Sequence, residues 1–255
     1  MLSKEQVQIF SKELKIDSFS IYREYLQLLF LKYFYELPTS NQIYFKGGTA
    51  IKFLFGSFRF SEDLDFSSTL KEEEIKSLIQ KATKNLSREI SVSFKQEKSI
   101  ADSFTGRIFQ GISDFSFPLM VRLDISLREK PIYIENKYIE TTFPISPYPL
   151  VEHLAVKEIL AEKIRALIIR GKGRDLFDIW FLLSKKIEID WDLVNLKMSF
   201  YNRKTNLNEI MTVIKEVPDQ EIKKDLTKFL PLNQRESVKK VKIWLIEKLK
   251  KLEEK

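Results

Sequence analysis

Apolar residues alternate with period two only as far as residue 142 of this 255-residue chain, and from Leu150 onward the spacing is helical. Strand-like segments fall at 42–45, 63–66, 89–96, 106–112, 118–127 and 131–142, interleaved with helical spacing at 4–14, 18–36, 49–55 and 71–86. The later region holds a long helix through VEHLAVKEILAEKIRALIIR, a Gly171-Lys172-Gly173 break, RDLFDIWFLL and further helices. Strands first and helices afterwards predict an α+β fold. A mixed sheet with flanking helices would occupy 1–147 and a helical domain 148–255, joined by the proline-bearing PISPYPL segment.

The helix over 18–36 opens at Asp17-Ser18, a good N-cap, and places Phe19, Tyr22, Leu26, Leu29, Phe30 and Tyr33 on one face. Leu37-Pro38 ends it. Residues 235–255 read as an amphipathic helix with Val238, Val241, Leu245, Leu249 and Leu252 on its apolar side, Trp244 beside them and a lysine-rich solvated face.

With 44% hydrophobic and 13% aromatic residues the chain is expected to fold. It has no cysteine, which excludes disulfide frameworks and thiolate zinc sites and suits a reducing compartment. No signal-peptide h-region opens it, and its most apolar run, Leu26–Tyr35, is broken by Gln27 and Lys32 and is far shorter than the roughly 20 residues of a membrane span. The expectation is a soluble, cytoplasmic protein with no membrane partner. A net charge of +7 and a pI near 9.2 favour anionic partners, nucleotides or nucleic acid.

Three of the seven glycines fall in FKGGTAIKFLFGSFRFSEDLDFS, residues 45–67. Glycine accepts positive φ and lets backbone approach a ligand, so Gly47-Gly48 between a strand and a helix beginning at Thr49 would turn N–H groups toward a phosphate, with the Thr49 hydroxyl beside them. The plain alternative is a tight turn capped by threonine. Neither a P-loop nor a dinucleotide fingerprint is present, since the further glycines and lysine they need are missing.

On a strand, Asp63 and Asp65 project to the same side, about 6.6 Å apart along the chain, with Leu64 and Phe66 turned to the core. Hard carboxylates so spaced suit a magnesium ion that keeps positions open for substrate phosphates. PLMVRLDISL buries Val121, Leu123, Ile125 and Leu127, and sets Arg122, Asp124 and Ser126 opposite. If its strand neighbours that of Asp63, three carboxylates form one cluster; otherwise Asp124 pairs with Arg122 or a nearby lysine on a solvated face.

In AEKIRALIIRGKGRDLFDIW, Lys163 and Arg170 lie two turns apart on one helix face, while Arg165 points elsewhere. Asp175 and Asp178 share a face of the next helix. A lysine beside triphosphate oxygens with an aspartate to position it is one reading. The other leaves Asp175 complementing a helix N-terminus and the Lys163 ammonium in water above Ile159 and Leu160. His153, the sole histidine, builds no zinc site or catalytic triad and is read as structural.

Together these motifs resemble the AbiEii/AbiGii-type toxin family, a branch of the nucleotidyltransferase superfamily. KGGTAIKFLFGSFRFSEDLDFS is similar to that family's Gly-Gly-Thr followed by Arg-x-Ser-x-Asp-Leu-Asp-Phe. VRLDIS resembles the strand bearing the superfamily's third carboxylate, and residues 151–183 resemble a helical signature of Ala-Glu-Lys followed by Arg-Asp-x-x-Asp. The resemblance implies a nucleotidyltransferase-type mixed sheet with a helical domain completing the active site. It further implies Mg2+ (or Mn2+) on Asp63, Asp65 and Asp124, and a nucleoside triphosphate touching Gly47, Gly48, Thr49 and Lys163. Lys163, with Asp178 or Asp175, would match the family's essential lysine and aspartate.

The resemblance also implies a toxin of a toxin–antitoxin or phage-abortive system, nucleotide addition to an RNA acceptor such as tRNA, and an antitoxin encoded by an adjacent gene. The short Gly171-Lys172-Gly173-Arg174 link leaves little room for an inserted substrate loop. Two other activities compete: nucleotidylation of a protein target, and nucleotide binding that regulates a partner without turnover.

Overall fold

The computed structural model describes residues 2–97 and 102–253, in two compact units that divide between Leu154 and Ala155. In the first unit, helices α1 (Lys4–Leu14) and α2 (Ser18–Tyr35) precede β1 (Ile43–Lys46), α3 (Gly47–Phe55), β2 (Asp63–Ser68) and α4 (Glu72–Leu86). Strands β3 (Val92–Gln96), β4 (Ser103–Gln110), β5 (Leu119–Ser126), β6 (Ile134–Tyr138) and β7 (Leu150–Leu154) follow. These strands make one mixed sheet in the order β3-β4-β5-β2-β1-β7-β6, with β2–β5 and β1–β7 parallel and the other pairs antiparallel.

Strand alternation sets the core. Leu64 and Phe66 of β2, Val121, Leu123 and Ile125 of β5, and Phe104 and Ile108 of β4 are buried on one face, which α2 and α4 cover. The Asp17 carboxylate caps α2 as expected, accepting from the Ser20 N–H at 2.9 Å. Burial on α2 is broader than one stripe: Leu28 and Leu31 are as deeply buried as Leu26 and Leu29. The helix lies in the middle of the core instead of on its rim.

The unit boundary falls later than the 147/148 division expected from the sequence. Val151–Leu154, read as the start of the long helix, instead forms part of β7, inserted between β1 and β6. Five residues buried on the pattern exposed, buried, half-buried, buried, buried are too few for period two to stand out from a helical run. His153 is therefore a strand residue, in register with Phe45, its Nδ1 donating to the Leu154 carbonyl at 2.8 Å and its ring edge-on to Phe55. It is buried and structural, as expected.

The second unit is helical: α5 (Val156–Arg170), α6 (Gly173–Ser184), α7 (Trp191–Ser199), α8 (Leu207–Glu216), α9 (Asp219–Leu226) and α10 (Val241–Glu253). Gly171, at φ +59°, ends α5 in the left-handed conformation. Gly173 opens α6 against α9, where a Cβ would lie 2.8 Å from Cα of Ile222. The helix expected over 235–255 is two elements, a 3-10 stretch at Leu232–Lys239 and then α10; its last two residues lie outside the described part. Val238, Val241, Leu245 and Leu249 are buried as expected, whereas Leu252 is exposed. Among the described residues no helix is long and apolar enough to cross a membrane.

Candidate active site

Sheet register gathers the predicted residues of the first unit. Lys46 on β1 faces Asp65 on β2, Asp65 faces Asp124 on β5, and Asp124 faces Thr105 on β4. Residues so paired lie on one face, strands being about 4.8 Å apart. One step along that face lies a second row, Asp63 on β2, Arg122 on β5, Arg107 on β4 and Lys95 on β3. The adjacency of the Asp63 and Asp124 strands, on which the three-carboxylate reading depended, is present.

The Gly-Gly pair is fixed by what packs against it. A Cβ on Gly47, whose φ is +79°, would lie 2.1 Å from Oδ2 of Asp65, and one on Gly48 would lie 2.2 Å from Nη2 of Arg59. Only glycine lets the turn sit this close to the carboxylate and the guanidinium. The pair forms the first turn of α3, so its N–H groups belong to the positive end of the helix. The Thr49 hydroxyl is fully buried and donates to the Asp63 carbonyl, tying α3 to β2. Its proton is thus committed inside the fold.

The loop leading to β2 is pinned as well. Gln27 of α2 donates to the Ser61 carbonyl at 3.1 Å, and Arg23 meets Glu62 at 2.9 Å. Arg59 is almost fully buried and donates through Nη1 to the Phe60 carbonyl. Sequence reading passed over Arg59 and Lys46 as site residues. The available signals were a lone arginine in the apolar run FGSFRFSE and a lysine immediately before the glycine pair.

The carboxylates suit a hard divalent cation in donor chemistry, since Asp63 and Asp65 share a half-buried face and the Asp65 carboxylate fills the place a Cβ on Gly47 would take. No three His, Asp or Glu side chains are gathered as a ready-made metal cage among the described residues. Asp124 instead lies 3.3 Å from Nη2 of Arg122, the pairing that the alternative reading foresaw. The donor set, hard oxygens from a carboxylate or two, fits a site of the magnesium kind that takes its other ligands from water and substrate better than a closed all-protein cage.

In the helical unit, Lys163 is buried, its ammonium 2.7 Å from Oδ2 of Asp178 and 3.4 Å from Oδ1 of Asp175. Arg170 grips Asp175 with both ends of its fork, Nε at 2.7 Å and Nη2 at 2.9 Å. Both aspartates are fully buried. The face shared by Lys163 and Arg170 on α5 thus meets the face shared by Asp175 and Asp178 on α6, and the reading with the Lys163 ammonium in water is overturned. Burying charges is costly unless they are paired, and here two cations meet two anions. Arg165 points elsewhere as expected, beside Glu162 and over the Tyr201 ring.

Comparison with known proteins finds relatives of the fold and a family for the chain. The fold is similar to the crystal structure of JHP933 from Helicobacter pylori, with a TM-score of 0.59 and 21% identity over 94% of this chain and 95% of that one. It is similar also to MenT4, a nucleotidyltransferase toxin of Mycobacterium tuberculosis H37Rv, with a TM-score of 0.61 and 18% identity over 96% of this chain and 90% of that one. No curated protein matches the sequence. The model of the family described as nucleotidyl transferase AbiEii toxin, type IV TA system, matches residues 29–242. The chain belongs to that AbiEii family and is a nucleotidyltransferase toxin of the type IV toxin–antitoxin kind.

Proposed function

We propose that the enzyme transfers a nucleotide from a nucleoside triphosphate to an RNA acceptor such as tRNA. The observation that carries this reading is the contact between the glycine turn and the acid strand, Gly47 lying so close to Asp65 that a methyl group would overlap its carboxylate. A phosphate held by the N–H groups of Gly47 and Gly48 is thereby next to Asp63 and Asp65. A magnesium or manganese ion on Asp63 and Asp65, with Asp124 adjacent, would neutralise charge on the phosphates and lower the pKa of the acceptor hydroxyl. The chain's own residues supply positioning: Thr49 and Arg59 lock the turn, and Lys46 offers a cation beside Asp65.

In the helical unit we assign Lys163 as the essential lysine and Asp178 as the aspartate that orients it, since theirs is the shorter contact. Asp175, gripped by Arg170, has a supporting role. Family membership implies an antitoxin partner, which we expect to be encoded beside the toxin. The cytoplasm is its proposed location.

The acceptor is tested by incubating the purified protein with each α-labelled triphosphate, magnesium, total RNA and total cell protein. Label in RNA is expected. Label in protein overturns the acceptor assignment, and tight triphosphate binding without label in either overturns transfer itself.

A further inference from the structure

Two arginines face each other across the sheet in the row beside the carboxylates. Arg107 of β4 is in register with Arg122 of β5, and Lys95 of β3 with Arg107, so three cations stand in line on one face. Like charges directly opposite on neighbouring strands destabilise a sheet. Each guanidinium has one carboxylate at its Nη2, Glu97 at 2.9 Å for Arg107 and Asp124 at 3.3 Å for Arg122. The Nε of both is buried and finds no hydrogen-bond acceptor among the described residues. A buried donor without an acceptor is unfavourable, and here two occupy adjacent register positions. Their side chains are otherwise 40% and 42% exposed, so an anion can reach them from solvent.

An anion bridging the exposed ends of the pair would relieve the repulsion, and the planar fork of a guanidinium matches the oxygens of a phosphate. Position tells which phosphate. Asp63, on β2, lies between this row and the glycine turn that follows β1: the turn flanks the acids on one side, and Arg122, Arg107 and Lys95 extend away on the other. The triphosphate is assigned to the glycine side, so the opposite side is where the acceptor approaches.

We propose that Lys95, Arg107 and Arg122 form a subsite for a backbone phosphate of the acceptor RNA. This rests on the reading of the enzyme as an RNA nucleotidyltransferase and adds the residues that hold the acceptor. The subsite grips phosphodiester oxygens and carries no base readout.

The test is binding of unfractionated tRNA, without turnover, to the wild type and to Arg107→Gln/Arg122→Gln, across a series of salt concentrations. The double variant is expected to bind tRNA about 10- to 100-fold more weakly, with the slope of log Kd against log salt reduced by about one to two. Affinity for the triphosphate alone should change less than about twofold. Lys95→Gln, at an exposed position, is expected to lower the slope by about one while its melting curve matches the wild type. If tRNA affinity and salt slope are unchanged in the folded double variant and in Lys95→Gln, the subsite is wrong even where the wild type labels RNA. If triphosphate affinity falls as far as tRNA affinity, the cations serve the donor and the assignment is overturned. If wild-type protein neither binds nor labels RNA, the acceptor reading has failed before any variant is made.

Discussion

A methyl group on Gly47 would sit 2.1 Å from Oδ2 of Asp65, closer than any two unbonded heavy atoms approach. Gly47→Ala must therefore move the turn, the aspartate, or both, and must also hold alanine at a φ near +79°. A displacement of about 1 Å between catalytic groups costs about 100-fold in rate, so kcat/KM should fall by at least that factor. Gly56 supplies the control: its φ is +75°, but a Cβ there meets open space. Gly56→Ala should lose about 1–2 kcal/mol of stability and keep its activity, as measured by denaturant melts and transfer assays side by side.

The buried ion network separates the two candidate aspartates. Lys163→Gln and Asp178→Asn should each abolish turnover, and the double variant should be no worse than either, because groups acting as one unit are not additive. Asp175→Asn leaves the 2.7 Å Lys163–Asp178 contact and takes the carboxylate charge away from the Arg170 fork. Its main loss should be stability, about 1–3 kcal/mol for the charge-assisted hydrogen bonds to an arginine that is half-exposed and can rehydrate. Single-turnover assays at low temperature distinguish these outcomes; a folded, inactive Asp175→Asn beside an active Asp178→Asn would reverse the assignment.

Glu24 on α2 gives a pH signature. Burial pushes its carboxyl pKa up, partly offset by Lys52 of α3 at 3.4 Å, whose ammonium also lies over the Phe60 ring. Because the folded chain binds this proton more tightly than the unfolded chain, the contribution favours folding below the ordinary carboxylate pKa. It is lost as pH rises through the raised value. Glu24→Gln cannot titrate, so its stability relative to wild type should climb across that window and then level off. Urea midpoints between about pH 4 and pH 9 measure it; a difference flat with pH would contradict the account.

Motifs that repeat a local rule were legible in the sequence. Alternation in PLMVRLDISL named the buried and half-buried faces of β5, failing only at Leu127, which lies past the strand and is half-buried, and the i, i+2 rule placed Asp63 and Asp65 on one face. What stayed hidden was set by pairing across the chain. That Asp65 would lie opposite Asp124, or Arg107 opposite Arg122, depends on strand order, which composition does not encode. The β7 strand was missed because its five residues border a genuine helix, and the all-round burial of α2 because its depth comes from the elements around it. Thr49 is a further case at the site: that its hydroxyl donates to the Asp63 carbonyl depends on how α3 packs on β2, which its place in the sequence does not show.

The central claim is that the acids of β2 perform the transfer. The most direct measurement is magnesium-dependent incorporation of α-labelled nucleotide into RNA by the wild type and by Asp65→Asn, with melting curves for both. Asp65 is half-buried on the polar face, so the substitution should leave folding nearly intact while removing at least about 100-fold of the incorporation. Undiminished, magnesium-dependent labelling of RNA by folded Asp65→Asn protein would contradict the account.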